Sequence, residues 1–262
     1  MSSPTQRFFG DTGPAAPSPL EARGLCKHFL SGDGSELRIL QGVELRMEPG
    51  EVVAVIGASG VGKSTLLHLL GALDRPTAGE VLVGGRNISD MDQESLAAVR
   101  NQHIGFVFQF HHLLRDFTAL ENVAFPRRIG GASESDAKDR ARDLLASVGL
   151  SNRLDHLPTQ LSGGEQQRVA VARALANDPL VVLADEPSGN LDASTSQELH
   201  ELLFRLRAEE GTSMVLVTHN LDLAGQSDRV LELRNGVLEN DAPKGRRRET
   251  APGSAPEGGQ LG

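Results

Sequence analysis

Residues 57–64 read GASGVGKS, a spacing of glycines, lysine and serine suited to cradling a phosphate chain. Gly57, Gly60 and Gly62 permit a turn in which backbone N–H groups, those of Ala58, Ser59 and Val61 included, converge on phosphate oxygens. Lys63 can reach the β and γ phosphates, Ser64 can offer its Oγ to Mg²⁺, and Thr65 completes the set of contacts. A second cluster is carboxylic: Asp185 and Glu186 close the apolar run LVVLADE at 180–186. Two acids at a strand end are ordinarily solvated punctuation. Beside a phosphate loop they read differently, Asp185 holding magnesium through water and Glu186 accepting a proton from the attacking water. Gln109 ends IGFVFQ and His219 follows SMVLVT, and each alone would pass for a turn residue. In an open parallel sheet, however, ligands sit outside the carboxyl ends of the strands, where Gly57, Gln109, Asp185, Glu186 and His219 all fall.

LSGGEQQR at 161–168 carries a second glycine pair, and one nucleotide needs only one cradle. Ser162 stands at a helix start with Glu165 at capping-box spacing, which by itself describes a plain helix N-terminus. Gly163 and Gly164 argue for more, since glycine inside a helix costs roughly 1 kcal/mol relative to alanine. A bare N-terminus is an anion site. Lying away from the chain's own phosphate loop, it reads most simply as a site for the γ-phosphate of an ATP held by another chain.

These residues need elements to carry them. EVVAVI before the loop and STLLHLLGAL after it read as a strand and a helix. IGFVFQ, LVVLADE and SMVLVT read as further strands, the second continuous enough to be buried on both faces. From about 113 to 177 the pattern is helical, with Thr118 and Ser133 as caps. Residues 193–211 form another helix, stopped by Gly211, and Asn235-Gly236 turns a terminal hairpin. Strands alternating with helices predict an α/β core. The predicted organisation is a single domain over residues 20–240 with a helical subdomain at about 113–165, between disordered tails at 1–19 and 241–262. RRR at 246–248 reads as a solvated tail, with an anionic-lipid contact as the alternative.

Composition limits the partners. A net charge of −9 in 262 residues argues against nucleic acid, though a local basic face could hide in that average. A single Cys26 excludes an intrachain disulfide. No apolar run reaches the roughly 18 residues of a membrane span and no signal peptide is evident, so any membrane contact is expected to be indirect.

The order GASGVGKS, Gln109, LSGGEQQR, LADEP and His219 resembles that of the ATP-binding-cassette (ABC) ATPases, over about residues 20–240. The resemblance implies a P-loop fold with a mainly parallel core sheet, an antiparallel β subdomain and the inserted helical subdomain. It also implies a head-to-tail homodimer in which each ATP lies between one chain's phosphate loop and the other's LSGGE. Gln109 would then sense Mg²⁺ and water and couple to integral membrane permease subunits. Asp192 of SGNLD would sit across the dimer interface, and Phe29 of LCKHF would stack on adenine unless it is an ordinary core aromatic. The stretch GFVFQFHHLLRDFTALENV at 105–123 closely resembles that of ATPases of lipoprotein-releasing complexes, which work at the cytoplasmic face of the inner membrane. There FHHLL would be part of a socket for the permease, unless Leu113 and Leu114 are simply core. His111 and His112 make poor metal ligands, because neighbours in an extended segment point to opposite sides. The rivals are ATPases of related export or cell-division complexes, ABC ATPases acting on DNA or ribosomes, and a non-hydrolysing module. Ser188, Phe29 and Asn220 stand where relatives often have Thr, Tyr and an acid.

Overall fold

The computed structural model describes residues 17–30, 32 and 34–240; residues 1–16 and the segment 241–262, with its basic run, lie outside the described range. In chain order the elements are β1 (Leu20–Leu30), β2 (Glu36–Arg46), β3 (Val52–Ile56), α1 (Lys63–Leu70), β4 (Ala78–Val83), β5 (Arg86–Asn87) and α2 (Gln93–His103). There follow β6 (Ile104–Phe108), α3 (Ala119–Ile129), α4 (Glu134–Ser147), α5 (Gly163–Ala174), β7 (Val181–Asp185) and α6 (Ala193–Glu210). The described part closes with β8 (Ser213–Val217), α7 (Leu221–Gly225), β9 (Arg229–Arg234) and β10 (Val237–Asn240).

The larger sheet has the order β10-β9-β3-β8-β7-β6, parallel throughout except for the β9–β10 hairpin. Its register puts Val55, Val217, Asp185 and Phe108 in one row across β3, β8, β7 and β6. Chemistry-bearing residues follow that row on all four strands. The strands read as apolar runs because both faces are covered. Val52, Val182, Ala184, Met214 and Leu216 point into the core with α3–α6. Their alternates Val53, Val55, Val181, Leu183, Val215 and Val217 point into the core with α1, α2 and the second sheet. That second sheet, β2-β1-β4-β5, is antiparallel.

Helix starts follow local chemistry. Thr118 and Ser162 form capping boxes with Glu121 and Glu165, and Ser133 accepts from the Asp136 N–H. Asn235 and Gly236 both adopt positive φ, as the hairpin turn requires. One expectation shifts: helix does not begin near 113, because residues 110–118 form an irregular loop and the cap lies only at Thr118. Among the described residues no helix is long and apolar enough to cross a membrane.

Helix α5 lies unusually close to β6. A Cβ at Gly105 would stand 2.3 Å from the carbonyl oxygen of Ala174, a backbone atom that cannot yield without moving the helix. Gly105→Ala should therefore destabilise the fold by roughly 1–3 kcal/mol, as overpacking does. Denaturant unfolding checks this, and an unchanged midpoint would show that α5 and β6 can part freely.

Candidate functional site

The loop after β3 is glycine-bound for steric reasons. Gly57 has φ 150° and a Cβ there would meet the Leu233 carbonyl oxygen at 2.7 Å; Gly62 has φ 112° and its Cβ would meet Ile39 Cγ2 at 2.6 Å. No side chain caps the start of α1 at Gly62, which leaves its first N–H groups facing the loop. Lys63, 9% exposed, donates from Nζ to the Gly57 and Ala58 carbonyls at 2.9 and 3.0 Å. Its ammonium is thus held at the mouth of the cradle, where an incoming phosphate can replace the carbonyls.

Ser59, Gly60, Ser64 and Thr65 face the same cleft, of about 400 Å³, as Gln109, Asp185, Glu186 and His219. Asp185 sits behind the loop. Burial pushes its carboxyl pKa up, a hydrogen bond from the Ser64 hydroxyl opposes this, and the neighbouring Glu186 charge raises it further. A divalent cation would relieve that anionic crowding, and the available donors (Ser64 Oγ, the Asp185 carboxylate and the Gln109 amide oxygen) are the hard oxygens Mg²⁺ prefers. Glu186 is held more tightly than sequence reasoning foresaw. Its carboxylate accepts from Thr218 Oγ1 and the His219 N–H, both at 3.2 Å, and lies 2.9 Å from His219 Nδ1. Its backbone has φ 45°, a left-handed conformation of the kind that concentrates at functional sites. Asn220 does not hold His219; its side chain caps α7 instead.

Gln109 exchanges hydrogen bonds with Asn190, Nε2 donating to Asn190 Oδ1 at 3.0 Å and its own carbonyl accepting from Asn190 Nδ2 at 3.1 Å. The sequence offered no signal for this partner. Gln167 of α5, 2% exposed, donates to the Phe108 carbonyl and so fastens the LSGGE helix to the end of β6.

Other expected residues lie outside the cleft. Ser162 and Glu165 cap α5 reciprocally, Glu165 also taking Arg153 Nε at 2.9 Å, while Gly163 has nothing nearer than 3.8 Å where a Cβ would be. A Cβ on Gly164 would strike Thr195 Cγ2 at 2.5 Å. Asp192 caps α6, and hydrogen bonds from Ser194 and Thr195 hold its carboxyl well below the usual range. Phe29 is 44% exposed on β1, with Lys27 Nζ 5.0 Å from its ring centre, and it is no core residue.

The FHHLL segment divides. Phe110 is 62% exposed, whereas Leu113 is buried in the core, so the bland reading holds for Leu113 while Leu114 is partly exposed. His112 has φ 46°, which removes the extended-segment geometry assumed for the histidine pair. Half-buried Arg173 of α5 donates to the carbonyls of His111 and His112 at 2.7 and 2.8 Å. Fully buried Asn122 bonds the Leu114 N–H and the carbonyls of Leu114, Phe117 and Thr118. Neither residue was singled out from the sequence, since both act through carbonyls brought near only by folding. A hollow of about 540 Å³ opens beside Phe110, His111 and His112.

The profile of the ABC transporter family matches residues 40–189. The chain belongs to this family. It is an ABC ATPase. It is 56% identical over 200 residues (76% of this chain, 91% of the relative) to the lipoprotein-releasing system ATP-binding protein LolD of Cytophaga hutchinsonii. The LolD of Idiomarina loihiensis is 50% identical over 222 residues, covering 85% of this chain and 97% of that protein. Among solved structures the ATPase is similar to the dimeric ATP-binding cassette MJ0796 in a post-hydrolysis state bound to ADP and Pi, with TM-score 0.77 and 39% identity over 84% of this chain and 97% of that one.

The raised pKa of Asp185 sets a stability cost in the nucleotide-free ATPase. Folding disfavours its charged form, so the cost is absent below the unfolded value near ~3.9 and builds as pH rises through the higher folded value. Asp185→Asn should therefore melt at higher temperature than the parent at pH 7, with the difference vanishing near pH 4 in thermal scans. A variant less stable at pH 7 would contradict burial as the controlling cause.

Proposed function

We propose that this ABC ATPase powers a membrane complex that releases lipoproteins from the inner membrane to a periplasmic carrier, working as a homodimer bound to integral permease subunits at the cytoplasmic face. The hydrolytic part of the reading rests chiefly on one observation: Lys63, Ser64, Gln109, Asp185, Glu186 and His219 share one cleft. The choice of cargo rests on the likeness to LolD proteins across most of the chain.

The triphosphate binds with its oxygens on the amides of 57–64, and Lys63 leaves the Gly57 and Ala58 carbonyls to meet the β and γ phosphates. Ser64, Asp185 and Gln109 would hold Mg²⁺, which when bound would supply charge neutralisation at the phosphates. Glu186 accepts the proton of the attacking water while His219 keeps its carboxylate aimed. The γ-phosphate is closed over by Ser162, Gly163 and Gly164 of a second copy, whose bare helix start supplies N–H donors. Asp192 faces the second copy, and Phe29 stacks on adenine. Membrane contact is through the permease and no nucleic acid is involved. The acidic balance supports that exclusion. A related export or cell-division complex is the alternative, and it is decided by which permease accepts the surface at Phe110 and His112.

Glu186→Gln should bind ATP yet lose hydrolysis by 10²–10⁴-fold, the usual effect of removing a general base. Dimers should then accumulate with ATP in light scattering; near-normal turnover would refute the base assignment. For the permease surface, the double variant Phe110→Asp, His112→Glu should keep the isolated subunit folded and ATP-binding but lower co-purification with lipoprotein-release permeases. Leu113→Ser, by contrast, should lower the melting temperature, since Leu113 is core. Unimpaired co-purification and coupled activity in the double variant would reject the surface.

A further inference from the structure

His200 lies in the second turn of α6, 2% exposed, and is the one fully buried histidine among the described residues. Its neighbours along the helix, Leu199, Leu202 and Leu203, are core leucines. Its Nε2 stands 2.8 Å from the Ser188 hydroxyl, and its Nδ1 is buried without a partner. Burial pushes the imidazole pKa down, opposed only by the Asp222 charge on α7, so the ring is neutral with a single proton. That proton belongs on Nε2, because the other tautomer would strand an N–H donor in the core. Nε2–H therefore donates to Ser188 Oγ.

For stability alone this pair is a poor choice. A half-satisfied imidazole costs desolvation that an aliphatic side chain of similar volume would not. What the pair holds is the short segment leading from the base to α6. Ser188 stands two residues after Glu186, whose carbonyl accepts from the Gly189 N–H at 2.9 Å. The Ser188 carbonyl accepts from the Leu191 N–H at 3.1 Å, and between them Asn190 makes the reciprocal bonds to Gln109. Movement of Ser188 is thus transmitted at one end to the Glu186 backbone and at the other to the Gln109 side chain.

We propose that His200 is a positioning residue: by donating to Ser188 it fixes the 188–192 segment, and so governs the turnover of bound ATP rather than ATP affinity. The proposal builds on the ATPase site above and adds to it a residue that touches neither nucleotide nor water.

The test uses the full chain with MgATP. His200→Leu should keep or raise the melting temperature, leave KM for ATP within about twofold, and lower kcat about tenfold. His200→Gln, whose amide can donate to the same hydroxyl, should recover most of kcat. Ser188→Ala should match His200→Leu, and the double variant should be no slower than either, as expected when two changes remove one interaction. Parent-level kcat in His200→Leu overturns the proposal. So does a loss of kcat that follows a lowered melting temperature without rescue by Gln, or multiplicative losses in the double variant. Failure of the base assignment would appear separately, as full turnover in Glu186→Gln, and would not alter the comparison of Leu with Gln at position 200.

Discussion

The parallel register of β3, β8, β7 and β6 is the constraint on which the site depends. Because Val55, Val217, Asp185 and Phe108 lie in one row, the chain leaves all four strands at the same height. The phosphate loop, His219, Glu186 and Gln109 then emerge side by side from elements up to about 160 residues apart in sequence. Sliding any strand by one residue would turn its core side chains to the opposite face. The two cores that grip alternate residues of each strand therefore also set the geometry of the cleft.

The cleft carries costs that a merely stable protein would avoid. Asp185 is a carboxylate made uneasy by burial beside Glu186. Glu186 itself sits in a left-handed backbone conformation, and His200 buries a nitrogen without a partner. These features lie at or just behind one row of strand ends, while the capping boxes and paired strands elsewhere follow ordinary local rules. Concentrated costs of this kind mark where function opposes stability.

Helix α5, which begins in LSGGE, joins the regions. At its start Ser162 and Glu165 present the bare glycine turn; near its middle Gln167 fastens to β6; at its end Arg173 holds the His111–His112 segment. Gly105 lets the helix press directly on β6. Displacement of α5 is therefore shared by the strand that leads to Gln109 and by the loop that follows it. This is a contiguous physical route between the cleft and the exposed surface at Phe110.

By itself the sequence determined what rests on short-range physics. Caps at Thr118, Ser133 and Ser162 were legible because a hydroxyl and an N–H three residues on meet within one turn. The Asn235-Gly236 turn and the glycines of 57–62 were legible because positive φ selects residue type. The buried parallel strands showed as continuous apolar runs. Tertiary structure alone decided the placement of β8 between β3 and β7, the split between buried Leu113 and exposed Phe110, and the bonds of Asn122, Arg173, Asn190 and His200. Strand order and the burial of one leucine beside an exposed phenylalanine are set by long-range packing; in the four bonds a polar group meets a partner set by packing, not by spacing, and residue type names the donor without naming its acceptor.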